Sequence, residues 1–389
     1  MSDEQGARAQ APAHRAPERQ GQRRAGSWAA SEADDLQRRT AVAAAIPQSD
    51  DDTPLMRQAA ADARLRITLR GRVLPSPSRT RVITVANQKG GVGKTTTTVN
   101  LAAALAQSGL RVLVIDVDPQ GNASTALGID HHSDIAGTYE VLVEGLPISQ
   151  VVQHCPDVRG LECCPATIDL AGAEIELVGM ERREFLLRQA IADHLVERER
   201  SGEPRLDYVL VDCPPSLGLI TVNAFTAAGE VLIPIQCEYY ALEGLSQLLR
   251  NIGLVQEHLN PALEVSTILL TMYDARTRLA AQVADEVRTH FPRTVLKTTI
   301  PRSVRISEAP SHGLTVMSYD PGSSGALSYL AAAREIAERD AEAHPVPAAA
   351  PAVVDLTGAG PGSGPEQRSS APVSASTGAA PTADQGEHA

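Results

Sequence analysis

The chain has 389 residues, with 47 acidic and 35 basic side chains, a net charge of −12 and only 3% aromatic residues. That length allows two domains, but core-forming residues are concentrated between positions 80 and 342, so one large domain with two solvated extensions is expected. No apolar run reaches the roughly 18 residues of a membrane span, and the start lacks a signal peptide's apolar stretch, so a soluble cytoplasmic protein is expected.

Residues 1–79 carry 13 basic and 10 acidic side chains, with Trp28 their only aromatic residue. This composition cannot bury enough apolar surface to offset ordering entropy, and disorder is expected. The stretch from Arg64 to Arg72 holds four arginines and fits either added DNA affinity or a solvated linker. The run RVITVAN from Arg81 reads as a buried strand and ends at a glycine-rich segment, Lys89-Gly90-Gly91-Val92-Gly93-Lys94-Thr95-Thr96. A helical pattern follows and closes near Gly109. Then comes RVLVIDV from Arg111, ending at Asp118-Pro119-Gln120-Gly121. Apolar strands recur at 208–211, 231–234 and 268–272, with helical patterns at 242–258 and 279–291. Continuous apolar strands alternating with helices predict a doubly wound, mostly parallel α/β sheet of the P-loop NTPase type. The tail from 343 to 389 is rich in Pro, Ala, Gly and Ser, and disorder is expected there too.

In such sheets ligands bind at the carboxyl ends of the strands. The glycine-rich loop departs from the ordinary G-x-x-x-x-G-K-[ST] pattern, because Lys89 stands where the first glycine belongs. Gly90, Gly91 and Gly93 still let backbone amides approach phosphate oxygens, Lys94 supplies charge and Thr95 a hydroxyl for Mg²⁺. Since one lysine already serves the bound nucleotide, Lys89 suggests a cation delivered elsewhere, such as a facing subunit's site. Asp212 closes the strand YVLVD, the Walker-B position that holds Mg²⁺. Asp118 closes the earlier strand, where a carboxylate can orient or deprotonate the attacking water; Asp116 lies two residues deeper. A turn role is the plain alternative for Asp118.

The five cysteines, at 155, 163, 164, 213 and 237, show no metal-ligand spacing, and reduced thiols are expected. The acidic total hides a local excess of three positive charges between Met272 and Glu308, with seven basic residues against four acidic ones. On charge alone this reads as a solvated helix face with a loop.

The segments NQKGGVGKTTTTVNLAAALA, VIDVDPQGNASTALG, YVLVDCPPSLGLITVNA, IPIQCEYYALEGLSQLL, TMYDARTRL and IPRSVRISEAPSHG resemble successive motifs of the ParA/Soj chromosome-partitioning ATPases, of the deviant Walker-A class that includes MinD. The resemblance spans about 80–340 and implies an ATP-dependent sandwich dimer. Lys89 matches the lysine that reaches across the interface to the partner's phosphates, and Gly90 the glycine that permits close face-to-face approach. Asp118 matches the aspartate required for hydrolysis; Lys94, Thr95 and Asp212 match nucleotide and Mg²⁺ residues. Arg276 and Arg305 match arginines that bind double-stranded DNA without sequence preference, and a ParB-like centromere-binding partner is implied. Pro301 and Ser303 stand near the adenine, where the family commonly has Asn in place of Ser303.

Three alternatives compete with this reading. A relative that positions a plasmid or other cargo shares the same chemistry. A membrane-cycling protein like MinD would need a C-terminal amphipathic helix, which the proline-broken tail lacks. An iron–sulfur carrier would need cysteines in contexts that Cys155, Cys163 and Cys164 do not occupy.

Overall fold

The computed structural model describes residues 37–46, 53–69 and 71–343. Helices of nine residues or more are numbered here. α1 (Pro54–Leu69) precedes β1 (Arg81–Val85) and α2 (Lys94–Gln107). Next come β2 (Val112–Asp116), the two-residue β3 (Gln153–His154), β4 (Leu161–Cys164), α3 (Leu186–Arg200) and β5 (Tyr208–Asp212). The chain continues through α4 (Leu219–Ala227), β6 (Glu230–Gln236), α5 (Ala241–His258), β7 (Glu264–Tyr273), α6 (Arg278–His290), β8 (Val295–Pro301) and α7 (Ser324–Ala343).

The strands form one sheet in the order β3-β4-β2-β5-β1-β6-β7-β8. Every neighbouring pair is parallel except β3 with β4. This is the doubly wound arrangement expected from the sequence. Alternate residues of each strand serve opposite faces, because successive side chains of a strand point to opposite sides. Leu113, Ile115, Val209 and Val211 join α3, α4, α5 and α6 in one core. Val112, Val114, Tyr208 and Leu210 join α2 and α7 in the other. Both faces being covered explains why the strands lack a polar alternation.

β4 and β8 were not read from the sequence. β4 is only four residues long and contains Glu162, whose carboxylate is held by Arg198 at 2.9 Å. β8 carries Lys297 and two threonines that break its apolar run.

The N-terminal extension departs from expectation over 37–44 and 54–69, which are helical instead of lacking structure, and α1 lies against the domain. Its anchors are polar, which is why hydrophobic content did not reveal them. Arg66 Nη2 donates to Gly322 O at 2.7 Å, and Arg72, just beyond the helix, pairs with Glu338 of α7 at 2.9 Å. Leu69 and Leu74 add small buried contacts. The remaining expectations of disorder, for 1–36, 47–52, 70 and 344–389, lie outside the described residues.

The carboxyl end of α4 depends on one side chain from a distant loop. Buried Asn260 Nδ2 donates to Phe225 O at 2.9 Å and to Ala228 O at 2.8 Å, satisfying carbonyls that a helix terminus leaves unpaired. Asn260→Ala is expected to cost about 2–3 kcal/mol, because it strands these buried acceptors. Thermal unfolding should then show a melting temperature lower by roughly 5–10 °C.

Candidate functional site

β2, β5 and β1 lie side by side, and their register pairs Asp116 with Asp212 and Val85 with Asp212. Three chain segments that are far apart in sequence therefore end at one depth. The loop after β1 closes on Gly93, whose φ of 89° favours glycine and which caps the start of α2. This turn aims the first amides of α2 at the sheet edge, where an anion would sit. Buried Val92 is tied down by Thr271 Oγ1, which donates to its carbonyl at 2.8 Å.

Lys94 is buried, with Nζ 3.4 Å from the Lys89 carbonyl. Burial pulls its ammonium below the usual lysine value, and Asp212 chiefly pulls it back up. Asp212 is fully buried; Thr98 Oγ1 donates to its Oδ1 at 2.8 Å, while Oδ2 has no hydrogen-bond partner among the described residues. Burial pushes this carboxyl up to about 8, the neighbouring Asp116 adds to the rise, and the hydroxyls of Thr95 and Thr98 oppose it. An unpartnered buried carboxylate oxygen beside the Thr95 hydroxyl and the phosphate loop fits a divalent cation.

Asp116 is held by Ser124, whose N–H and Oγ donate to Oδ2 at 2.9 and 2.8 Å. Burial pushes it up to about 6. Its side chain is committed inward, as the deeper position predicted. Asp118 lies closer to the edge, and its Oδ1 accepts from Gln120 N–H at 3.1 Å in an Asx-type turn.

Lys89 does not point at the Lys94 site. Its Nζ pairs with Glu238 Oε2 at 2.8 Å, and the two side chains are 38% and 47% exposed. Gly90 beside it has an ordinary φ, and a Cβ built there would meet nothing within 4 Å. Its own fold therefore does not require a glycine at this position.

Farther along the edge, Gly93, Thr96, Met272, Pro301, Ser303 and Tyr329 are among the residues lining a cavity of about 400 Å³. Met272 carries a positive φ of 49°, an uncommon conformation for a residue with a side chain. Arg276 and Arg305 follow the ends of the neighbouring strands β7 and β8, which pair Tyr273 with Pro301. Arg276 is 88% exposed and grips Asp274 through Nε and Nη2 at 2.9 and 2.8 Å. Arg305 lies 3.3 Å from Glu308 and 3.6 Å from Asp320. The structure thus gathers Lys94, Thr95, Asp118 and Asp212 at one point, sets Lys89 and Gly90 outside it, and places the two arginines on an outer flank.

Sequence reading missed two partners. Thr98 sits four residues after Lys94 on the same helix face, so helical spacing pointed to it. Glu238 gave no local signal, because only the β1–β6 pairing brings it to Lys89. All five cysteines are buried, and burial pushes Cys164 up to about 12, so these thiols are unreactive structural residues.

A phosphate loop between a parallel strand and a helix, with acidic residues closing two neighbouring strands, defines a P-loop nucleoside triphosphatase. A family model described as an AAA domain matches residues 80–265. The chain is 52% identical over 257 residues to the sporulation initiation inhibitor protein Soj of Bacillus subtilis, covering 66% of this chain and 98% of that one. It is 50% identical over 265 residues to the chromosome partitioning protein ParA of Myxococcus xanthus, covering 68% and 90%. Among solved structures, a Mycobacterium smegmatis protein described as cobyrinic acid a,c-diamide synthase, with bound ATP analogue and magnesium, aligns at a TM-score of 0.58 and 37% identity, covering 68% of this chain and 97% of that one. The chain belongs to the ParA/Soj family of chromosome-partitioning ATPases.

Proposed function

We propose that this ATPase works as a nucleotide-gated DNA clamp: in the ATP-bound state two copies close face to face, hold DNA without sequence preference, and let go after hydrolysis. A ParB-like centromere-binding protein is the proposed trigger, and the cytoplasmic nucleoid the proposed place of action. The observation that carries the dimer is the outward-facing pair Lys89 and Gly90. A cation that leaves its own phosphate site to Lys94, beside a glycine with open space at its Cβ, is suited to a partner's close approach.

In this reading the amides of Gly91–Thr96 and the Lys94 ammonium hold the phosphates. Thr95 and Asp212 would hold magnesium, which would supply positive charge against the phosphates. Asp118 orients the attacking water and accepts its proton. Pro301 and Ser303 wall the cavity that takes the base. Arg276 and Arg305 meet phosphates of the duplex; their exposed pairs with carboxylates are screened by solvent, so phosphate displaces those partners readily.

Three variants test these roles. Lys89→Ala removes one charge-assisted contact across the interface, so ATP-dependent dimer formation should weaken about 10- to 100-fold in sedimentation while the monomer's ATP affinity changes far less. Equal losses in both measurements would place Lys89 in its own subunit's site. Asp118→Ala should lower ATP turnover by roughly 10²- to 10⁴-fold and trap a DNA-bound dimer; rapid turnover by this variant would remove Asp118 from the chemistry. The double variant Arg276→Glu with Arg305→Glu should abolish co-sedimentation with random-sequence DNA and still dimerise with ATP; undiminished DNA retention would sink the assignment of this flank.

A further inference from the structure

The DNA-facing flank proposed above ends, in the family's part of the chain, at Arg305. Here it does not end there. α1 precedes residues 80–265, which the family model matches, and it brings Arg66 to the same corner. Arg66 Nη2 donates to Gly322 O at 2.7 Å. A Cβ built on Gly322 would lie 2.9 Å from Arg66 Nη2 and 3.8 Å from Asp320 Oδ1, so the guanidinium and this carboxylate flank one point. On the other side of Asp320, Oδ2 lies 3.6 Å from Arg305 Nε. Asp320 therefore meets Arg305 at one oxygen and has Arg66, far away in sequence, near the other.

We propose that Arg66 is a further nucleic-acid phosphate contact, continuous with Arg305 across Asp320. The inference rests on the reading of Arg305 as a DNA contact. Charge at the corner supports it. Without Arg66, Arg305 faces Glu308 and Asp320, so one positive charge meets two negative ones and a phosphate is repelled. Arg66 balances that excess and frees Arg305 for an incoming anion. Its geometry also suits the role. The side chain is exposed, and only Nη2 is engaged among the described residues, leaving a planar face of N–H donors for a phosphate oxygen pair. The hydrogen bond to Gly322 fixes the guanidinium in place, so little rotamer entropy remains to be lost on binding. A phosphate partner carries no sequence information, in keeping with a non-specific duplex.

The test uses the full-length chain with ATP and a fluorescent random-sequence duplex, measuring affinity by anisotropy across salt concentrations. Arg66→Glu should weaken binding about tenfold and lower the slope of log affinity against log salt by about one, the signature of one lost phosphate contact. Arg66→Lys keeps the charge and should keep the slope, with a smaller loss of affinity. Asp320→Asn should act in the opposite direction and tighten binding. Arg66→Glu with wild-type affinity and slope, beside a double Arg276/Arg305 variant that no longer binds, overturns this inference and leaves the DNA reading intact. A double variant that binds as the wild type does removes the DNA reading and this inference together. A weaker Arg66→Glu variant with unchanged slope and a lowered melting temperature would make Arg66 a structural tether of α1, which also overturns it.

Discussion

Two carboxyl groups stand side by side at the ends of β2 and β5, both fully buried, with the Lys94 ammonium acting on Asp212. Backbone register imposes this, since parallel strands in step bring Asp116 and Asp212 to the same level. Like charges at that spacing resist joint ionisation, and burial adds to the resistance. The molecule resolves the conflict unequally. Asp116 receives the Ser124 hydroxyl and amide and becomes part of the framework. Asp212 keeps one oxygen without a hydrogen-bond partner among the described residues, and that oxygen suits the site to an external cation. A phosphate loop alone would bind anions; this deficit makes the site one for a metal–nucleotide pair.

The strand ends also set a gradient of exposure along the sheet edge. Asp212 lies fully buried at the middle; Lys94 and Asp118 are slightly less buried; Lys89 and Gly90 face outward; Arg276 and Arg305 occupy the far flank after β7 and β8. Depth in this series matches the polarity of what each group is suited to meet. Groups that act on phosphoryl oxygens benefit from exclusion of water, because electrostatic interactions strengthen as the effective dielectric falls. Groups that meet a long polyanion need the reverse, since exchange with the duplex must be quick and responsive to salt. The net negative charge of the chain belongs to other parts of the surface and says little about this flank.

Much of this was legible because the strands that carry the chemistry are apolar on both faces and end at residues with unmistakable polarity. RVITV before the glycines, VLVID before Asp118 and YVLVD at Asp212 each announced a strand and its functional end. β4 and β8 escaped because their apolar runs are short or interrupted. α1 escaped for a different reason. It holds on through arginine side chains bonded to a loop carbonyl and to a helix glutamate, and composition cannot report partners 256 positions away in sequence. Glu238 was invisible on the same ground: the contact with Lys89 exists only once β6 has paired with β1.

Two ion pairs anchored at β1 and its following loop show how the chain separates what it must keep from what it must give up. Arg81 opens the strand with both guanidinium arms on Glu230, at 2.8 and 2.6 Å, and stacks at 5.3 Å from the Tyr208 ring. Its side chain is only 9% exposed, so removing one partner would strand a buried charge. Lys89, eight residues on, makes a single contact of 2.8 Å to Glu238 with both side chains in solvent. Such a pair is worth at most about 1 kcal/mol and is weakened by salt. The ammonium is a point charge on a flexible stem whose side-chain partner among the described residues is Glu238, so it can leave without disturbing β1 or β6. In the proposed dimer a partner's triphosphate would offer the lysine several anionic oxygens in place of one exposed carboxylate. On the proposed reading, the extra lysine of the loop is held loosely by its own subunit and would be committed only when a second one arrives.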